Sequence, residues 1–290
     1  MRRSIGVNTW VWASPLSDDS LESIATTAAG MGFDALELPV ESPGDWDPIR
    51  ARDVMQRTGL APFVVGAMAP GRELIAADAE TIAATQAYLI HCISVASTLG
   101  AGIVAGPFTA HTGRAWRTTP DERVALVREL RETLRPVVDA AGEAGVAIAI
   151  EPLNRYETSL INTVEQGLDA LAPLLGPSLG LALDSYHLNI EEKRPFDAIR
   201  AAGEHLVHVQ VCGNDRGAVG DDHIDWSGFL DALDDVGYAG PLNFESFTAH
   251  NETIATAASI WRPLGESQDA LAERTLAHLT ALQASRSAGH

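Results

Sequence analysis

The chain has 290 residues, of which 46% are hydrophobic, and this length is enough to bury the core of one large α/β domain without disulfides. Its formal net charge of −19 disfavours contact with a phosphate backbone, because nucleic-acid affinity depends on Lys and Arg displacing counterions. We therefore expect a single domain over residues 1–290 and no nucleic-acid partner.

Targeting and redox signals are weak. The segment from Met1 to Trp12 lacks the apolar core of a signal peptide, and no stretch is expected to reach the apolar length that spans a bilayer. The two cysteines, Cys92 and Cys212, lack CxxC spacing and are predicted to be free thiols of a reducing compartment. These features predict a cytoplasmic protein without a membrane partner.

Short apolar segments alternate with longer amphipathic ones along the whole chain. The apolar segments predict eight strands, near residues 4–11, 33–40, 61–68, 101–106, 146–151, 178–184, 205–212 and 241–247. The amphipathic segments predict helices near residues 18–31, 47–58, 78–99, 119–144, 162–175, 195–203, 226–237 and 252–284. Eight β-then-α units, with no GxGxxG after the first strand, favour a single (β/α)8 TIM barrel over an open nucleotide-binding sheet. The small polar end, residues 284–290, is expected to be frayed.

The last four predicted strands share an alternation of bulky apolar residues with small or polar ones. Both faces of a strand are buried in a parallel barrel, so the bulky set should contact the helices and the other set should face the axis. The axis-facing set ends in one polar residue on each strand: Glu151, Asp184, Gln210 and Glu245. These four side chains are therefore predicted to meet at the C-terminal mouth, where barrel enzymes carry their active sites.

Three carboxylates and an amide in one cavity predict a divalent metal. Without a cation, the carboxylates would repel one another and their pKa values would rise. Oxygen donors suit Mn2+, Co2+ or Mg2+ better than the Cys and His ligands typical of zinc sites. The acids could instead cap loops or pair with arginines such as Arg155 and Arg216, and the sequence leaves that interpretation open.

Four segments resemble the ketose 3-epimerases, the group of D-tagatose, D-allulose and L-ribulose 3-epimerases among the xylose-isomerase-like barrels. The segments are Glu-Pro-Leu-Asn-Arg-Tyr-Glu-Thr at 151–158, Leu-Asp-Ser-Tyr-His-Leu-Asn-Ile-Glu-Glu at 183–192, Asn-Asp-Arg-Gly at 214–217 and Phe-Glu-Ser-Phe at 244–247. They follow one another in the order and at the spacing of that family. The resemblance implies an isomerase that epimerises a ketose at C3, with Mn2+ as the first choice of metal and a homodimer or homotetramer as the assembly.

The resemblance also implies roles for individual residues. Glu151 and Glu245 would be metal ligands that double as the acid and base, and Asp184 would be a further ligand. Contacts with the sugar are implied for three more residues, Glu157, His187 and Arg216. In such a reaction one glutamate removes the C3 proton, a cis-enediolate forms, and the other glutamate returns a proton to the opposite face.

Gln210 departs from the family pattern, because the epimerases have a histidine ligand at the matching position. Hydroxypyruvate isomerases resemble this chain in having glutamine there, so an aldose–ketose isomerase is an alternative, as are a metal-dependent sugar lyase and an inactive sugar-binding barrel. An amide oxygen is a weaker donor than imidazole, and it lacks a second nitrogen through which its orientation could be fixed. We therefore expect a loosely held metal. An exchange of roles with His208, which has the same strand parity, stays open.

Three tryptophans could stack against a sugar ring. Trp10 and Trp12 end the first predicted strand, and Trp116 lies in the loop after the fourth. We expect one of the three to form a wall of the sugar site and assign that contact to Trp116.

Overall fold

A computed structural model describes residues 2–288 as a closed parallel barrel in which each strand pairs with its sequence neighbours and β1 pairs with β8. The strands are β1 Ile5–Asn8, β2 Ala35–Val40, β3 Ala61–Gly66, β4 Ile103–Gly106, β5 Ala147–Ile150, β6 Leu179–Asp184, β7 Leu206–Val211 and β8 Leu242–Phe244. All eight lie within the predicted segments, which confirms the TIM barrel.

The helices form the outer layer and the loops of the mouth. They are α1 Asp18–Met31, α2 Pro48–Thr58, α3 Ala79–Leu99, α4 Pro120–Ala144, α5 Val164–Leu171, α6 Ser185–Glu191, α7 Pro195–Ala202, α8 Trp226–Asp235, α9 Glu252–Ala257 and α10 Gln268–Ala288. Short 3-10 turns occupy Thr9–Val11 and Gly203–His205. Neighbouring residues set where the helices begin and end, as α4 illustrates. Thr119 and Glu122 form a capping box before its first turn, and Pro120 is its first residue. Gly145 ends the helix in the left-handed conformation, with φ of 67°.

Two predictions about the helices need correction. The single helix predicted over 252–284 is two helices, α9 and α10, separated by an irregular segment at 258–267 that contains Pro263 and Gly265. The short helix α6, which Asp184 caps, is absent from the predicted set. The helix α10 continues through residues 284–288 of the end that is expected to be frayed, and Gly289 and His290 lie outside the described residues.

By length and composition alone, the helix α3 could span a membrane. The expectation that no stretch approaches that apolar length is therefore wrong. Its apolar character has another cause in this fold. Leu89, Cys92 and Ile93 are buried in the main core, and α3 packs between α2 and α4 over β3. The helix thus belongs to the outer ring of the barrel.

The two faces of the strands pack as their parity predicts. Ile148 and Ile150 of β5 join the large core between the sheet and the helices. Ala105, Ala149 and Ala182 instead contact one another in a small separate cluster, as expected for residues on the barrel axis. Small side chains at this level leave room for the polar side chains above them at the mouth.

Candidate active site

The four predicted polar residues meet at the C-terminal mouth. Asp184 ends β6, Gln210 lies in β7, and Glu151 and Glu245 directly follow β5 and β8. All four are buried. The amide of Gln210 donates from Nε2 to Oε1 of Glu245 at 2.7 Å, and one guanidinium nitrogen of Arg216 contacts both Asp184 and Glu245. The barrel therefore brings together side chains that are up to 94 positions apart in sequence, the separation of residues 151 and 245.

Burial and mutual repulsion make these carboxyl groups hard to ionise. Burial raises the pKa of Glu151 well above its ordinary value, and the charges of Glu245 and Asp184 raise it further. Burial also raises the pKa of Glu245 to about 8, although Arg216 opposes the shift. The pKa of Glu157 is raised by burial as well. Raised pKa values in one cleft are typical of sites that carry protons or bind cations.

Arg216 lies among the acids. Its Nη1 donates to Asp184 and, at 3.1 Å, to Oε2 of Glu245, while the guanidinium stacks 4.1 Å from the ring of Tyr186. Its backbone has φ of 69°, a left-handed conformation that is uncommon outside glycine. Pairing of the acids with Arg216, which the sequence left open, therefore occurs. Arg155 instead forms a bidentate pair with Glu191 near the surface.

His187 is buried beside Glu151. Its Nδ1 accepts a hydrogen bond of 3.0 Å from the backbone N–H of Asn154. That Nε2 lies 3.5 Å from Oε1 of Glu151. Burial and the charge of Arg216 lower the pKa of His187 well below its ordinary value. The same Nε2 also lies 3.1 Å from Nη2 of Arg216, so the neutral imidazole lies between an acid and a guanidinium group.

The donor set fits a divalent cation. Glu151, Asp184 and His187 each offer one ligand atom, and these atoms lie within 4.8 Å of one another. Oε1 of Glu151 is buried and has no hydrogen-bond partner among residues 2–288, which is costly for a carboxylate oxygen unless a cation satisfies it. His187, which the resemblance assigned to the sugar, is thus also a candidate ligand.

The amide of Gln210 is held firmly, contrary to the expectation that nothing could fix it. Its Nε2 donates to Oε2 of Glu37 at 3.0 Å as well as to Glu245. Glu37 lies in β2 and is fully buried, and it is absent from the predicted site residues. The alternation Leu36-Glu37-Leu38 is the sequence signal for it, because strand parity places Glu37 on the axis-facing side.

A cavity of about 210 Å³ opens above these residues. Its polar floor contains all three predicted sugar contacts of the mouth, Glu157, His187 and Arg216, together with the two glutamates Glu151 and Glu245. The opposite walls are largely apolar and include Val65, Met68, Phe247 and Ile254. The helix α9 supplies part of that wall.

Of the three tryptophans, the structure brings Trp10 to the cavity. Its ring lies 5.6 Å from that of Phe247, and both line the wall. Trp116 lies instead in a separate groove along α4, under the guanidinium of Arg114. Trp12 donates its indole N–H to Asp269 at 2.7 Å. The wall contact expected of Trp116 is thus made by Trp10, because the loop after β4 folds away along α4.

Comparisons with known proteins agree with this geometry. The profile of the xylose isomerase-like TIM barrel family matches residues 25–276. A probable ketose 3-epimerase from Synechocystis sp. is 30% identical over 274 residues, which cover 94% of both chains, and an L-ribulose 3-epimerase from Methylomonas sp. is 28% identical over 95% of this chain and 96% of its own.

Solved structures give the same result. The structure of an L-ribulose 3-epimerase superposes with a TM-score of 0.90 at 29% identity, over 99% of this chain and 97% of that one. A D-allulose 3-epimerase from Methylomonas sp. in complex with D-allulose superposes with a TM-score of 0.87 at 27% identity, over 97% of each chain. The chain therefore belongs to the xylose isomerase-like TIM barrel family and, within it, to the ketose 3-epimerases, which are carbohydrate epimerases of the isomerase class.

Proposed function

We propose that this chain epimerises a free ketose at C3 with the help of one divalent metal ion, with Mn2+ as the first candidate and Co2+ or Mg2+ as alternatives. The convergence of the buried residues Glu151, Asp184 and Glu245 at the barrel mouth, where the two glutamates line the cavity, carries the proposal. A divalent cation would neutralise the charge of these acids that Arg216 leaves uncompensated, and it would give the unpartnered Oε1 of Glu151 a ligand role.

Glu151, Asp184, Gln210 and Glu245 would hold the metal. A bound divalent ion supplies a fixed positive charge that stabilises negative charge developing on the oxygens of the substrate. The oxygen-rich donor set supports Mn2+ or Mg2+ over a zinc-type site. His187 is a fifth candidate ligand, because one of its ring nitrogens lies within 4.8 Å of a carboxylate oxygen of Glu151 and of one of Asp184.

Glu151 and Glu245 would move the protons. They approach the cavity from β5 and β8, so a sugar bound between them has one carboxylate near each face of C3. One takes the C3 proton to give the cis-enediolate, and the other returns a proton to the opposite face.

Glu157, His187 and Arg216 would orient the sugar. The three side chains lie on the floor of the cavity and offer both donors and acceptors to hydroxyl groups. A cavity of about 210 Å³ is smaller than the about 300–1,000 Å³ typical of sites for drug-sized ligands, which favours a monosaccharide. Four glutamates line it, namely Glu41, Glu151, Glu157 and Glu245, so a neutral sugar is favoured over a phosphorylated one.

Gln210 supports a second candidate function, an aldose–ketose isomerase of the hydroxypyruvate isomerase type. The same pair of glutamates would then move a proton between C1 and C2. The position of hydrogen exchange separates the two reactions.

Isotope exchange in heavy water tests the proposal. The Mn2+-loaded protein is incubated with D-fructose, D-allulose, D-tagatose or L-ribulose, and the products are analysed by NMR. We expect deuterium at C3 and formation of the C3 epimer, and we expect EDTA to abolish both until Mn2+ is restored. Exchange confined to C1 or C2 would favour the isomerase, and full activity in EDTA would contradict a metal-dependent reaction.

We further propose that the protein acts in the cytoplasm as a homodimer or homotetramer. Two buried free cysteines, Cys92 and Cys212, support a reducing compartment. Size-exclusion chromatography with light scattering measures the assembly directly.

A further inference from the structure

The buried carboxylate of Glu37 contacts the predicted ligand Gln210 from below. We propose that Glu37 is a positioning residue: it fixes the amide of Gln210 so that the Oε1 atom, and not the nitrogen, is presented to the metal. The inference rests on the metal site of the proposed function and adds to it a residue that touches neither the sugar nor the ion.

The hydrogen bonds of Gln210 determine the orientation of its amide. Nε2 lies 3.0 Å from Oε2 of Glu37 and 2.7 Å from Oε1 of Glu245. Carboxylate oxygens accept hydrogen bonds, and both glutamates would be ionised with the metal bound, so both neighbours then require the NH2 group on this side. The opposite flip would bring the amide oxygen against two carboxylate oxygens. Both N–H groups are therefore committed, and Oε1 is left for another partner.

Glu37 can serve as an anchor because it is itself immobilised. Its Oε1 lies 2.6 Å from Nε2 of His208, and its Oε2 accepts a 2.9 Å hydrogen bond from Nδ2 of Asn8. Asn8 in turn caps the 3-10 turn at the end of β1 by accepting from the backbone N–H of Trp10. With 0% exposure and three donors around it, the carboxylate of Glu37 has one geometry.

Glu37 is also connected, through Gln210, to Glu245, which is one of the two proposed proton carriers. Gln210 links Glu37 to Glu245, because the two hydrogens of its Nε2 bind one carboxylate each. The bond to Oε1 of Glu245 leaves Oε2 of that residue directed at Arg216 and the cavity. Partners that orient a metal ligand in this way typically contribute about 10- to 100-fold to metal affinity.

Titration calorimetry with Mn2+ on the metal-free protein tests the proposal. Glu37→Gln replaces a carboxylate that accepts from three donors with an amide that has a single acceptor oxygen, so the charge-assisted anchor of Gln210 is lost. We expect the Mn2+ affinity to fall by about tenfold. Glu73→Gln is the matched control: Glu73 is also buried and bonded to His111 and Arg114, but it lies in the β3–α3 loop and does not contact Gln210. Its Mn2+ affinity should equal that of the wild type.

A double-mutant cycle separates positioning from general destabilisation. If Glu37 acts through Gln210, Glu37→Gln should have little further effect on Mn2+ affinity once Gln210→Leu is present. Additive losses, or an unchanged affinity in Glu37→Gln, would overturn the inference while leaving the metal site intact. A wild-type protein that binds no Mn2+ would overturn the proposed metal site as well.

Two further measurements cover the case in which Glu37→Gln does not fold. Glu37→Asp keeps the charge but withdraws the carboxylate from Gln210, and it should lower the Mn2+ affinity in the same direction. A crystal structure of the wild type with Mn2+ requires no variant. Oε1 of Gln210 facing the ion, with Nε2 on Glu37, supports the inference, whereas an amide turned the other way or His208 bound to the ion overturns it.

Discussion

The Nη1 atom of Arg216 lies 3.1 Å from Oε2 of Glu245, and the same nitrogen also donates to Asp184. A fixed cation therefore occupies the space between two of the proposed metal ligands. Because its charge partly neutralises the acids, it makes the site less attractive to a second cation. Arg216 and the metal should compete electrostatically, although the proposed reaction requires both.

Arg216→Ala should consequently bind Mn2+ at least as tightly as the wild type while losing activity. Removal of a buried, hydrogen-bonded charge costs on the order of 2–5 kcal/mol in related interactions, so we expect kcat/KM to fall by about 30-fold or more. Calorimetry with Mn2+ and epimerisation kinetics measure the two effects separately. Arg155→Ala is the control, since Arg155 is 61% exposed and pairs with Glu191 away from the cavity floor. Weaker Mn2+ binding in Arg216→Ala would show that the guanidinium supports the metal site.

Replacement of either proposed proton carrier should reduce turnover strongly. Glu151→Gln and Glu245→Gln should each lower kcat by at least about 10²- to 10⁴-fold, the range for losing a general acid or base. Because each glutamate serves one face of C3, the residual exchange of the C3 hydrogen with heavy water should favour one epimer in Glu151→Gln and the other epimer in Glu245→Gln. NMR of recovered substrate measures this asymmetry. Equal loss of exchange for both epimers in both variants would argue against two separate proton carriers.

Gln210 should be a metal ligand that histidine can improve. Imidazole is a stronger donor than an amide oxygen for Mn2+ and Co2+, and it can keep an N–H directed at Glu37, so Gln210→His should tighten binding by about tenfold. Gln210→Leu should weaken binding without unfolding the barrel, because residues at the mouth contribute little to the core. Calorimetry and thermal unfolding test the two statements. If Gln210→Leu binds the metal as tightly as the wild type, Gln210 is no ligand and His208 is the next residue to replace.

Metal binding should release protons near neutral pH. The folded, metal-free protein holds the pKa of Glu245 at about 8 and that of Glu151 well above its ordinary value, so both retain protons that a metal must displace. The Mn2+ affinity should therefore rise with pH and level off above about pH 8, as the pKa of Glu245 indicates. Calorimetry in buffers of different ionisation enthalpy counts the released protons. If Mn2+ binding releases no protons at a pH below about 8, the glutamates of the metal-free site are not protonated.

The raised pKa values of Glu245 and Glu151 also make the stability of the metal-free protein depend on pH. A carboxyl group whose pKa is higher in the folded than in the unfolded state favours folding at low pH, and this contribution is lost as the pH rises through the folded pKa. The free energy of unfolding of the metal-free protein should thus fall between the ordinary pKa of 4.5 and the raised value of about 8 for Glu245. Thermal unfolding in EDTA across that window measures the slope, and saturating Mn2+ should remove much of it.

The sequence by itself determined the barrel and the position of its acids. Hydrophobic periodicity is a local property, so alternating segments identify eight strands, and helix ends such as Thr119 and Gly145 are set by neighbouring residues. Strand parity is equally local, and closure of a parallel barrel brings the ends of its strands to one face. The meeting of Glu151, Asp184, Gln210 and Glu245 follows from those two facts.

Tertiary structure alone decided which side chains touch. Glu37 and Gln210 are 173 positions apart, and their hydrogen bond depends on the register and tilt of strands that are not neighbours in the sheet. Loop paths are also non-local: Trp10 reaches the cavity and Trp116 does not, because the packing of the loop after β4 against α4 determines where its indole lies. Periodicity assigns a residue to a face of its own strand or helix, whereas its contact partners depend on how distant segments pack together.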